Sequence, residues 1–137
     1  MTSIVVDASF AAAWFLPDED RAAADAVAVR FATDRILVPD VFRHELRNLL
    51  LTALRRGRLS EDDCFRQIAR AERFPLVDCG GGEASRIAEL AVKRGLTAYD
   101  AAYLSLAIGE RAELATFDAA LAAAARLEQI KVIGAAP

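Results

Sequence analysis

The sequence is poor in the residues that most enzyme classes depend on. It holds one histidine, two cysteines, two lysines and one tryptophan in 137 residues. Cys64 and Cys79 lack the paired spacing of zinc or redox motifs, which suggests small side chains in a reducing compartment. No convincing Ser/His/Asp or Cys/His arrangement is present either. Long apolar runs are missing too. The longest stretch free of Asp, Glu, Lys and Arg runs from Ala8 to Pro17, and the next from Ala101 to Gly109. Both fall short of the ~18 apolar residues of a spanning helix. No basic residue precedes Ile4, and Asp7 interrupts the apolar start, so a secretory signal is not expected. The expected setting is the cytoplasm, with no membrane. Seven glycines and four prolines exclude collagen-like and low-complexity chains.

What is present is alanine, 30 residues of it inside an apolar fraction of 55%. The large apolar residues that remain are about a third of the chain, as expected of a single globular domain over residues 1–137. The net charge of −3 argues at first sight against a nucleic-acid partner, since such proteins usually carry a basic footprint.

Along the chain, short β-branched runs alternate with helical patterns. Ser3–Val6, Arg35–Val38, Phe74–Val77, Leu114–Thr116 and Ile130–Ile133 read as strands, the first as a continuous apolar run buried on both faces. Helices are predicted from residue 8 to about 16, closed by Pro17, and from the acids Asp18, Glu19 and Asp20 through about Phe31. Residues 40 to 56 form the most periodic helix, with Phe42, Leu46, Leu49, Leu50 and Ala53 on one stripe and Gly57 as its stop. Further helices are predicted over 60–73 with Ser60 as cap, 82–94 ending at Gly95, 97–109 with Thr97 as cap, and 119–127. This alternation implies an α/β fold, a mostly parallel central sheet flanked by helices on both faces. In such folds the site lies beyond the carboxyl ends of the strands.

Four acids meet that description. Asp7 directly follows the first strand, and Asp118 lies two residues after the strand ending at Thr116. An acid there is poorly solvated and needs a donor or a cation, although either residue taken alone also fits a helix cap. Glu45 lies about 80° from the centre of its helix's apolar stripe, at the border of the buried face beside Asn48. Asp100 occupies the third helical position of a capping box opened by Thr97, yet shares a face with Tyr103, Leu104 and Ala107. Carboxylates converging on one pocket repel unless a divalent cation sits between them. All-oxygen ligands suit Mg²⁺ or Mn²⁺ and disfavour Zn²⁺. Such a site supports attack of water on a phosphodiester without a nucleophilic side chain.

These residues carry a resemblance. Ile4-Val5-Val6-Asp7-Ala8-Ser9 with Trp14-Phe15-Leu16-Pro17, Val38-Pro39-Asp40 followed by Glu45 and Asn48, Arg56-Gly57-Arg58-Leu59-Ser60, Gly95 to Leu104, and Ala115 to Leu121 together resemble the PIN-domain ribonucleases, and among them the VapC-like toxins. The resemblance covers nearly the whole chain in the same order. It implies a PIN-like three-layer fold and a metal-dependent endoribonuclease with Asp7, Glu45, Asp100 and Asp118 as catalytic and metal-binding acids. It also implies a small VapB-like antitoxin that blocks the site, and a homodimer. Ser9 and Thr116 match supporting hydroxyls of the family's pocket, and equally fit local caps of the following helices. The chain departs from many relatives at Ala13, where they carry Lys, and at Ala119, where they carry a basic residue.

Between Asp40 and Ser60 stand five arginines, with Arg43 and Arg47 the nearest to Glu45. They are candidate phosphate contacts for RNA, or else a solvated helix face. Two other functions fit the pattern: a receiver-like signalling domain phosphorylated on Asp7 or Asp118, and a catalytically silent RNA- or protein-binding module. The first wants a lysine at a strand end, and Lys93 and Lys131 are poorly placed for it. If the four acids bind metal, 20 acids less four leave 16 against 17 bases, and the charge objection disappears.

Overall fold

The computed structural model describes residues 2–17 and 22–136. Five strands form one wholly parallel sheet in the order β3-β2-β1-β4-β5. They are β1 (Ser3–Val6), β2 (Arg35–Val38), β3 (Val77–Asp78), β4 (Glu113–Thr116) and β5 (Val132–Gly134). The three central strands are the apolar runs of the sequence. Ile4, Val5, Val6, Leu37, Val38, Leu114 and Ala115 are completely buried, as strands covered by helices on both faces must be.

Seven α-helices are described: α1 (Ala8–Ala11), α2 (Ala22–Val29), α3 (Phe42–Arg55), α4 (Glu61–Glu72), α5 (Ala84–Arg94), α6 (Ala98–Glu110) and α7 (Ala119–Leu127). Their starts follow local chemistry. The side chains of Asp7, Ser60, Thr97 and Asp118 each accept from a backbone amide of the helix they precede. The chain runs outward from β1 to β2 and β3, then crosses back to β4 beside β1 and on to β5. Right-handed crossovers therefore put the helices of the two halves on opposite faces. The direction of winding reverses between β1 and β4, where a doubly wound sheet opens a crevice at its carboxyl edge.

Three boundaries differ from the sequence expectation. The third strand begins at Val77, because Phe74 and Leu76 are taken up in a turn through Ala71 O and Phe74 O. Phe74 instead packs among Trp14, Phe15 and Phe31. The first helix tightens to a 3₁₀ turn over Ala12–Trp14. The last strand starts at Val132, since Gln129 turns with φ 63° and the Ile130 amide donates to Ala125 O. The predicted acidic start of the second helix, Asp18 to Asp20, lies outside the described residues. Among the described residues no helix is long and apolar enough to cross a membrane.

At the sheet edge Gly134 has φ 104°, and a Cβ there would stand 2.8 Å from Thr116 O and 3.0 Å from the Phe10 ring. Gly134→Ala is therefore expected to cost about 1–3 kcal/mol from crowding, with backbone strain added. A thermal melt equal to wild type would contradict that close approach.

Candidate active site

Asp7 and Asp118 arrive at the crevice from adjacent strands, and two hydroxyls staple them together. Asp7 Oδ1 accepts from Ser9 Oγ at 2.8 Å and from the Phe10 amide at 2.9 Å. Asp7 Oδ2 accepts from Thr116 Oγ1 at 2.5 Å. Thr116 Oγ1 in turn accepts from the Asp118 amide at 3.0 Å, and Ser9 Oγ accepts from the Phe117 amide at 3.3 Å. Ser9 and Thr116 thus serve both strand ends. Asp118 Oδ1 accepts from the Ala120 amide at 3.1 Å and caps α7.

The other two acids come from helices. Glu45 lies in the first turn of α3 and Asp100 in the first turn of α6. Asp7, Ser9, Glu45, Asn48, Asp100 and Asp118 line one cleft of about 240 Å³, together with Ala8, Leu49 and Tyr103. Four elements far apart in sequence bring these side chains together. Thr116 stands behind them, fully buried.

The electrostatics follow from burial and crowding of like charge. Asp7 is 5% exposed. Burial pushes its carboxyl up to about 6, against the pull of the Thr116, Phe10 and Ser9 hydrogen bonds, and Asp100 adds to the rise. Asp100 is raised by burial first, then by the charges of Asp118 and Glu45. Both carboxyls move toward the protonated form, so the cleft as built favours an added positive charge. The donors are all oxygen. Among the described residues no three His, Cys, Asp or Glu side chains make a closed metal-ligand group. The set fits a hard cation such as Mg²⁺ or Mn²⁺, which takes one or two carboxylates and completes its shell with water. It does not fit the closed N/S shell of a structural zinc site.

Arg43 and Arg47 do not line the cleft. Each lies two residues from Glu45, about 200° around α3. Both turn toward Glu72 of α4, at 3.5 and 3.8 Å. The lysines are also elsewhere. Lys131 pairs with Glu113, at the amino end of β4, and Lys93 with Glu128. Tyr103 is the cleft residue that sequence reasoning passed over as part of an apolar face. Its Oη donates to Glu45 Oε1 at 2.6 Å. The signal was its place three residues after Asp100, since a buried tyrosine hydroxyl needs a partner.

A family model described as PIN domain matches residues 4–127. The chain is a PIN domain. Ribonuclease VapC3 of Pyrobaculum aerophilum is 34% identical to it over 122 residues, spanning 87% of this chain and 92% of that one. This relationship joins the PIN domain to the VapC-type members of the family. Three solved structures share its fold at lower identity. PAE2754 from Pyrobaculum aerophilum superposes with a TM-score of 0.75 at 23% identity, covering 96% of this chain and 83% of the other. FitAcB from Neisseria gonorrhoeae gives 0.65 at 16% identity, with 96% of both chains covered. VapC20 of Mycobacterium tuberculosis, a sarcin-ricin loop cleaving toxin, gives 0.61 at 17%, covering 88% of this chain and 94% of the other.

Proposed function

We propose that this PIN domain is a Mg²⁺- or Mn²⁺-dependent endoribonuclease and the toxin of a toxin–antitoxin pair. The observation that carries the reading is the meeting of Asp7, Glu45, Asp100 and Asp118 in one cleft at the β1/β4 crossover of the sheet. Their proposed role is to hold the ion. When bound, a divalent cation there supplies a Lewis acid for the phosphate and a water acidic enough to attack it.

The rest of the chemistry belongs to the protein. Ser9, Thr116 and the Phe10 amide fix both oxygens of Asp7, so the ligand does not have to be ordered when RNA arrives. Asn48, on the cleft wall beside Glu45, is positioned to support the acids or the substrate backbone. Without a cation the four acids repel a phosphodiester, so RNA binding and metal loading are coupled. Arg43 and Arg47 enter as contacts to RNA away from the scissile bond, because they occupy the far flank of α3. Neither Ala13, which is buried, nor Ala119 lines the cleft, and neither offers phosphate a basic contact, which favours a selective nuclease.

The names of the relatives support the proposed partners. Ribonuclease VapC3 and the VapC20 toxin support RNA as substrate, and the VapC kinship supports a small VapB-like antitoxin that covers the cleft. A homodimer is proposed on the same grounds. The test is cleavage of RNA by the purified chain with Mg²⁺ or Mn²⁺. Activity is expected to vanish in excess chelator and to return with Mn²⁺. Undiminished cleavage in chelator would overturn the reading.

A further inference from the structure

Resting on the metal-dependent reading above, we propose that Tyr103 is the positioning residue of the cleft, its hydroxyl holding the Glu45 carboxylate in the orientation that serves the ion. Asp7 and Asp118 are N-caps, each fixed by an amide of the helix it starts. Glu45 is not a cap. It sits inside α3, half-exposed, on a long side chain that would otherwise sample water. What reaches it is Tyr103 Oη, from a ring that is 1% exposed.

The direction of that hydrogen bond is set by the two groups that make it. A carboxylate oxygen has no proton to give and only accepts. The hydroxyl therefore donates, and its proton is committed to Glu45 Oε1. One hydrogen bond thus ties α6, which carries Asp100, to α3, which carries Glu45. The spacing of Asp100 and Tyr103 on α6 lets one helix face deliver a carboxylate and the group that orients another. Partners that orient metal ligands typically govern affinity by 10–100-fold. A tyrosine that merely satisfied its own buried hydroxyl would affect stability and leave metal binding alone.

The test uses the full chain with Tyr103→Phe, Glu45→Gln and the double variant, titrated calorimetrically with Mn²⁺ alone. Tyr103→Phe is expected to weaken Mn²⁺ binding by about 10–100-fold, and to lower kcat for RNA cleavage with KM nearly unchanged. In the Glu45→Gln background it is expected to add almost nothing, because the carboxylate that Tyr103 orients is already gone. Equal Mn²⁺ affinity in wild type and Tyr103→Phe, or full additivity in the double variant, overturns the inference and leaves the metal reading standing. A wild type that binds no Mn²⁺ overturns both. Should Tyr103→Phe fold poorly, fluorotyrosine labelling keeps the hydroxyl in place. The chain has two tyrosines, and Mg²⁺ is expected to shift the ¹⁹F resonance of Tyr103, with Glu45→Gln abolishing the shift. A Tyr103 resonance indifferent to Mg²⁺ counts against the proposal.

Discussion

Asp7→Asn is expected to remove RNA cleavage and, in the same molecule, to stabilise the metal-free fold near pH 7.5. The two effects share one cause. The Asp7 carboxyl is buried, and its proton affinity rises from 3.8 to about 6 on folding. A folded state that binds the proton more tightly than the unfolded chain loses stability as pH climbs through that window. Metal-free wild type should thus become less stable between about pH 4 and pH 6 and stay so above it. That rise from 3.8 to about 6 corresponds to roughly 3 kcal/mol.

Asparagine carries no charge to desolvate, so its stability should be nearly flat over that range. Part of the gain is given back, because the amide must donate to Thr116 Oγ1 where the carboxylate accepted from it. A net gain of ~1–2 kcal/mol remains, several degrees in Tm for a chain of this size. Loss of activity should exceed the ~100-fold expected for a mere orienting partner, since a proposed ligand is gone. Melts in chelator from pH 4 to 8 would check the first half. A variant less stable than wild type at pH 7.5 would show that the charge of Asp7 is compensated inside the fold.

Thr116→Val should show how much the strand-end hydroxyl contributes. Valine matches threonine in shape and keeps the β-strand, but it removes a donor to Asp7 Oδ2 and an acceptor for the Asp118 amide. The buried Asp7 Oδ2 and the part-buried Asp118 amide then lose their partner, at about 1–3 kcal/mol for a group that water cannot reach. Asp7 should be pushed further toward its protonated form, because the hydrogen bond with the largest lowering effect is lost. We expect cleavage to fall about 10–100-fold, with the loss partly recovered by raising pH. Thr116→Ser retains the hydroxyl and should stay close to wild type in activity. If serine were as damaging as valine, the missing methyl would matter and the hydrogen bond would not.

Much of the candidate site is written locally. Asp7 and Asp118 follow buried strands and cap the next helices, Thr97 opens a capping box that includes Asp100, and the stripe on α3 leaves Glu45 at the edge of its buried face. Each of these depends on a few neighbouring residues, so it can be read from spacing and side-chain chemistry. The same is true of β1, β2 and β4, whose apolar runs admit no face turned to water.

Where local preference is weak, packing decided. The segment from Phe74 to Val77 has the composition of a strand, but Phe74 stabilises the molecule more within the cluster of Trp14, Phe15 and Phe31 than it would on an edge strand. Arg43 and Arg47 look close to Glu45 in sequence, yet two helical steps send them to Glu72 on another element.

The scarcity of histidine, cysteine and lysine turns the reading of the sequence toward its carboxylates, because composition is a property that no fold can alter. The order of elements and the caps were settled equally early, since they arise from contacts a few residues long. Only the tertiary structure decided that four acids share one cleft, that two hydroxyls join β1 to β4, and that Tyr103 meets Glu45 across 58 residues of chain. Those pairings depend on which strands lie side by side. Strand order is chosen by burial of the whole sheet between its helix layers, a free energy that no short stretch of sequence carries alone.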